Sequence, residues 1–385
     1  MKVYLDHAAT TKTDPRVLKA MLPYFSVDYG NASSIHAMGQ DNFNVLTQCR
    51  EKVAKILGAD PKGIIFTSSA TESNNYILKG IARANRQKGD HIIISAIEHP
   101  CVRESARQLE KDGFRVSIIP ANSEGFITPE ELEKIIDQKT ILVSVMMVNN
   151  EIGTIQNIAE LVKVAKKHNA FFHTDAVQAV PYLKININEL GVDALSLSAH
   201  KFGGPKGVGL AYLNPKVYAE ALIIGGGQED GKRAGTYNLP GIVGLTTALE
   251  LAYKERMDYV RRVKKLRDRL WDGLKKNLPD IQVNGSLKER VPANLNVMFG
   301  YVEGEAILID LSYKGICVST GSACSATNLK ASSVLAAIGL NKNFLNSNIR
   351  FSLGKDTTEK EIDYTIKMVT ETVGRLRKFS PVSHL

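Results

Sequence analysis

Cysteine is scarce in this chain: Cys49, Cys101, Cys317 and Cys324 are the only four in 385 residues, and no two form a CxxC pair. That is too sparse for a disulfide framework and offers no structural zinc site, so a reducing cytoplasm is the expected location. No apolar run approaches the roughly 20 residues that span a bilayer. The chain starts with Asp6, His7 and Asp14 close together, which reads as neither a secretory leader nor a membrane anchor. Internal repeats and low-complexity segments are lacking too. The 49 Lys and Arg exceed the 40 Asp and Glu, for a net charge of +9, but they are spread out and not interleaved with aromatics. A solvated basic surface is expected, with no direct nucleic-acid binding. The remaining composition, 44% hydrophobic and 23% charged, is that of a soluble globular protein large enough for two domains.

From Ile64 to Leu213, short β-rich runs alternate with helical patterns, the signature of βαβ units in a largely parallel sheet. The runs are Ile64–Thr67, His91–Ser95, Arg115–Ile119, Ile141–Val148, Phe171–Thr174, Val192–Ser198 and Val208–Leu213. Helices are expected over Glu98–Lys111, opening on the acidic Glu98, and over Asn157–His168. After Pro240 a long charged helix, Ile242–Lys276, leads into a second unit. Its strands are Asn294–Met298, Ile316–Val318 and Ile349–Ser352, and its helices Glu303–Tyr313 and Thr358–Lys378.

In an open α/β sheet, ligands bind where strands end. One strand delivers Asp175, followed by Gln178; another delivers Ser198, His200 and Lys201; a third ends in Asn149, Asn150 and Glu151. After a fourth, Ser68 to Thr71 open a helix whose free N–H groups suit a phosphate. Taken singly these have ordinary alternatives: Asp175 as a helix cap, Lys201 as a surface lysine, His99 as a satisfied polar side chain, Ser68 to Thr71 as a capping turn. Together they meet the needs of pyridoxal phosphate (PLP): a lysine for a Schiff base, an acid for the pyridine nitrogen and an anion site. Burial and a neighbouring cation such as His200 are expected to help Lys201 lose its proton.

These residues bring a family into view. Tyr4–Thr11, Gly30–His36, Ala70–Asn75, Glu98–Pro100, Asn149–Gly153, Gly225–Glu229, Arg233–Thr236, Ser319–Ser325 and Arg350–Gly354, with the Asp175 and Lys201 strand ends, run through nearly the whole chain in order. In these the chain resembles the NifS/IscS-like cysteine desulfurases, class V enzymes of the fold-type I PLP group. The resemblance implies a large PLP-binding domain over 14–257, with a mainly parallel seven-stranded sheet flanked by helices. It implies a smaller α+β domain from 1–13 and 258–385. It also implies that Lys201 binds the cofactor covalently, Asp175 pairs with the ring nitrogen, Gln178 contacts the ring hydroxyl and His99 stacks on the ring. Ala70, Thr71, Ser198 and His200 then hold the phosphate, with Thr236 from a second subunit, so a homodimer is expected. Asn150 lies beside the ring, and Arg350 clamps the substrate carboxylate. Met147 and Ala32 depart from the family pattern, where histidine and proline are usual, as does Lys330-Ala331 after the cysteine loop.

Cys324 decides the reaction. It lies among small and polar residues, Val318 to Asn328, which have little to pack and read as a mobile loop. Cys317 reads as core, and Cys49 and Cys101 lie on helical segments without such a setting. The resemblance implies that L-cysteine becomes L-alanine while its sulfur passes to Cys324 as a persulfide. His99 is expected to take the thiol proton. The sulfur then goes to an acceptor protein such as an iron–sulfur scaffold, or toward tRNA thiolation. The rival readings are a selenocysteine or cysteine lyase, a class V aminotransferase, and a PLP-free scaffold subunit. The Cys324 loop weighs against the first two, and the joint presence of Lys201, Asp175, His99, Cys324 and Arg350 against the last.

Overall fold

The computed structural model describes residues 1–321 and 332–379. Seven strands form one sheet: β1 Ile64–Thr67, β2 His91–Ser95, β3 Arg115–Ile119, β4 Thr140–Ser144, β5 Phe171–Asp175, β6 Ala194–Ser198 and β7 Gly209–Leu213. Their order across the sheet is β1-β7-β6-β5-β4-β2-β3. Strand β7 runs antiparallel to both neighbours, and the other pairings are parallel. Successive side chains point to opposite faces, and both faces are covered. Phe66, Ile93, Val143, Phe172 and Leu195 enter one hydrophobic cluster, and their neighbours Ile65, Ile92, Leu142 and Ala194 enter another. This is the expected α/β class.

Helix α1, Ala70–Ala84, follows β1 directly, and helix α2, Pro100–Lys111, follows β2. The long helix α3, Leu239–Asn277, spans roughly 58 Å at 1.5 Å per residue. Its Leu245 and Leu249 join a cluster on the large sheet. Its Leu266, Leu270 and Leu274 join a third cluster with Val3, Leu5, Leu295, Phe299 and Phe351. That cluster covers a second, antiparallel sheet of β8 Ile281–Val283, β9 Asn294–Phe299 and β10 Asn348–Ser352. The N-terminal strand Val3–Tyr4 pairs in parallel with Ile316–Cys317. From there the chain crosses to the carboxyl ends of β5 and β6.

Two expected elements differ through the neighbouring side chains His99 and Glu98. The helix expected from Glu98 starts at Pro100, because the His99 side chain caps it and proline suits the first helical position. Glu98 is buried instead, and its Oε1 accepts the Met146 N–H at 2.7 Å. That bond takes an amide from the segment expected to continue β4 to Val148, and the strand ends at Ser144.

Candidate active site

Asp175 ends β5 almost wholly buried. Its Oδ1 accepts the Val177 N–H at 3.0 Å and its Oδ2 an Asn74 Nδ2–H at 2.8 Å, so the carboxylate is fixed in plane and direction. Lys201 lies in the short 3-10 turn after β6. Its Nζ donates to the carbonyls of Ala8 at 2.6 Å and Ala9 at 2.8 Å, and Gln178 Nε2 donates to Ala8 O at 3.0 Å. The N-terminal segment therefore joins Lys201 to Gln178. It also reaches His200, whose Nδ1 lies 3.1 Å from Thr10 Oγ1 and whose carbonyl accepts from Thr11 Oγ1 at 2.8 Å. Ala8 and Ala9 act through backbone carbonyls, which side-chain chemistry in the sequence does not flag, and Thr10 and Thr11 through their hydroxyls.

His200 is not the cation expected beside Lys201. Burial first, then Lys201 and Lys206, pull its pKa down to about 4, so it is neutral at pH 7. His99 is also held below its ordinary value, by burial foremost and by Lys201 and Arg103, against the pull of Asp175. Contacts link the two sides of the site: Asn74 bonds Asp175 and Cys101, Cys101 meets His99, and the Asp175 strand lies beside the one that delivers Lys201. His99 Nδ1 accepts the Cys101 N–H at 3.2 Å, which leaves the proton of the neutral ring on Nε2. The expected passage of a proton from the Cys324 thiol to His99 involves a residue outside those described.

Cys101 belongs to this site, contrary to its reading as an ordinary helix residue. Its Sγ lies 3.0 Å from His99 Nδ1 and 3.2 Å from Asn74 Nδ2. Burial, reinforced by Asp175, pushes its pKa up to about 12, so it stays a thiol and not a nucleophile. Cys317 is half-buried, less enclosed than a core residue, and Cys49 is buried. Cys324 lies outside the described residues, as do Lys330 and Ala331.

Ala70 and Thr71 form the first turn of α1, with Ser69 as its cap. A Cβ on Gly209 would fall 2.5 Å from the Ser69 backbone, so β7 approaches this turn as closely as glycine allows. Ser198 ends β6. Arg350 is 2% exposed; Nη2 donates to Asp6 Oδ1 at 2.8 Å and Nη1 to the Asn150 carbonyl at 2.9 Å, and Nε has no partner among the described residues. Asn150 thus meets Arg350 through its backbone. Thr236 is exposed and lines a cavity of about 250 Å³ with Ser68, Gly207 and Tyr237, a cavity whose lining does not include Lys201.

The residues present fit PLP. An oriented carboxylate, an imidazole, a lysine and a helix N-terminus flanked by hydroxyls are the groups its ring nitrogen, ring face, aldehyde and phosphate require.

Glu98 adds a pH dependence. Its Oε1 accepts from Ser95 Oγ at 2.6 Å as well as from Met146, and Oε2 has no partner among the described residues. Burial, opposed by the Ser95 hydroxyl and reinforced by Asp175, pushes its pKa from 4.5 up to about 8. A raised folded-state pKa gives stability that is fully present below 4.5 and is lost as pH rises through about 8. The size is on the order of a few kcal/mol. Thermal midpoints should therefore fall between pH 5 and 8, and Glu98→Gln should flatten that slope. An unchanged slope in the variant would place the proton elsewhere.

The chain matches the family described as aminotransferase class-V over residues 3–365. It is 47% identical to the cysteine desulfurase IscS of Dictyoglomus turgidum over 380 residues, 99% of this chain and 96% of the relative. It is also 47% identical to a cysteine desulfurase of Rattus norvegicus over 383 residues, 99% of this chain and 84% of the relative. Among solved structures, a NifS-like protein superposes with a TM-score of 0.92 at 41% identity, covering 98% of this chain and 100% of the other. A NifS-like protein from Rickettsia africae gives 0.87 at 33% identity, covering 97% and 100%.

Proposed function

This chain belongs to the aminotransferase class-V family and, within it, to the PLP-dependent cysteine desulfurases, and from that premise we propose that L-cysteine is its substrate and Cys324 its sulfur acceptor. The observation that carries the site assignment is the run of contacts from Asp175 through Asn74 and Cys101 to His99, at the end of the strand next to the one that delivers Lys201. Bound PLP supplies an electron sink that makes the α-proton of the substrate acidic. Lys201 Nζ would move that proton, Asp175 would hold the ring nitrogen, and Ala70, Thr71, Ser198 and His200 would hold the phosphate. Asp6 and the Asn150 carbonyl use only two of the five guanidinium N–H groups of Arg350, which leaves donors, the buried Nε among them, for the substrate carboxylate. The Cys324 thiolate attacks the substrate sulfur: an S–S bond forms as the Cβ–S bond breaks, and the electron pair left on carbon takes a proton. One cysteine and one thiol thus become one alanine and one persulfide.

The working form is a homodimer. Phe25 at 60%, Ile35 at 95% and Ile224 at 88% exposure are apolar surfaces of the kind that a second subunit covers, and Thr236 is free to reach that subunit. The persulfide goes to an acceptor in the cytoplasm, such as an iron–sulfur scaffold protein or a tRNA thiolation pathway. No helix among the described residues is long and apolar enough to cross a membrane. A visible spectrum before and after L-cysteine, with alanine and sulfide assayed together, tests the reading. A yellow protein giving matched alanine and sulfide supports it; pyruvate as product, or a protein that stays colourless with added PLP, contradicts it.

Arg350→Ala should raise KM and lower kcat/KM by about 100-fold, the loss expected of a charge-assisted carboxylate contact. It should also cost roughly 3 kcal/mol by leaving Asp6 without its partner. Arg350→Lys should recover little, since an ammonium cannot reproduce the planar fork. Steady-state kinetics and thermal melts check both, and a KM near the parent value would remove Arg350 from substrate binding.

A further inference from the structure

One amide touches both the acid and the histidine side of the site. Asn74, fully buried in α1, points Nδ2 at Asp175 Oδ2 and at Cys101 Sγ, while its Oδ1 meets Ser196 Oγ. Ser196 Oγ lies 3.2 Å from His173 Nε2, and His173 Nδ1 lies 2.8 Å from Ser144 Oγ. Ser144, His173 and Ser196 sit on the adjacent strands β4, β5 and β6 and are wholly buried. No step assigned above uses them, yet buried polar groups are costly unless paired.

The direction of each bond follows from what each atom is able to do. An amide oxygen only accepts, so the Ser196 hydroxyl donates to Asn74 and its lone pair takes the Nε2–H of His173. His173, which burial pulls down to about 3, is neutral, so its Nδ1 accepts from the Ser144 hydroxyl. The two hydrogens of the Asn74 amide then go to Asp175 and Cys101. Turning the amide over would set its oxygen against the carboxylate, so its orientation is fixed chemically. The bonds run one way, from Ser144 through His173, Ser196 and Asn74, and end on the Asp175 carboxylate. Their polarity strengthens each member in turn.

We propose that Asn74 is a positioning residue for the cofactor: backed by Ser196, His173 and Ser144, it fixes the Asp175 carboxylate against the ring nitrogen of PLP. This rests on the assignment of Asp175 to that nitrogen, and the test separates the two. The holoprotein is loaded with PLP carrying nitrogen-15 in the ring. The ring-nitrogen chemical shift and the cofactor dissociation constant are then measured for the parent, Asn74→Ala, Ser196→Ala and Asp175→Asn. Asn74→Ala should weaken PLP binding about tenfold, as loss of a residue that orients a ligating group does. It should also move the ring signal toward that of Asp175→Asn. Ser196→Ala should move both in the same direction by less, and it decides the matter if Asn74→Ala does not fold. Parent-like signals and affinities in the folded Asn74→Ala or Ser196→Ala protein, with Asp175→Asn shifted, would overturn the role of Asn74 alone. An unshifted signal in Asp175→Asn would overturn the site assignment and this proposal with it.

Discussion

Lys201→Ala is expected to abolish turnover of L-cysteine, with a loss of at least about 10⁴-fold, since both the covalent hold on the cofactor and the proton carrier go with one amine. Stability should change far less. The amine donates to the Ala8 and Ala9 carbonyls, and losing those two bonds costs roughly 2 kcal/mol. The purified variant should lose the cofactor on dialysis and remain folded by circular dichroism. Activity within about tenfold of the parent would place the covalent link on another lysine.

Cys324→Ser should separate cofactor chemistry from sulfur transfer. The variant keeps Lys201, Asp175 and His99, so its colour and its spectral response to L-cysteine should match the parent. Alanine and sulfide formation should fall by roughly 10³-fold or more, because an alcohol does not ionise near neutrality as a thiol does. Cys317→Ser serves as the control, with activity near the parent's. If Cys324→Ser turned over normally, the sulfur would not pass through a persulfide at that position.

Much of the fold could be read from the sequence because its strands are short apolar runs set between clear breaks. His91–Ser95 and Arg115–Ile119 begin and end where the runs do. Asp175, Ser198 and Lys201 were visible because they stand at such ends, where an open sheet places its ligand. What the sequence hid was polar chemistry facing inward. Ser144, His173 and Ser196 occur inside apolar strands and look like interruptions of the core; their pairing depends on which strands lie side by side. Cys101 reads as an ordinary helix residue, and Asn74 has no role of its own within the Ala70–Asn75 motif, because the approach of α1 to α2 beside Asp175 is a tertiary fact. Glu98 was misread for a related reason. An acidic residue before proline resembles a helix start, but the His99 side chain caps the helix and frees Glu98 to hold the Met146 amide. His200 looked like a cation because sequence does not reveal its burial against Thr10 and Thr11.

The most direct measurement is mass spectrometry of the peptide containing Cys324, taken from the PLP-loaded protein after L-cysteine without reductant, with alanine counted in the same sample. The account predicts one additional sulfur atom on Cys324, removable by a thiol, and one alanine for each sulfur gained. Alanine or sulfide released over several turnovers with Cys324 unmodified, or the added sulfur found on Cys101 instead, would contradict it.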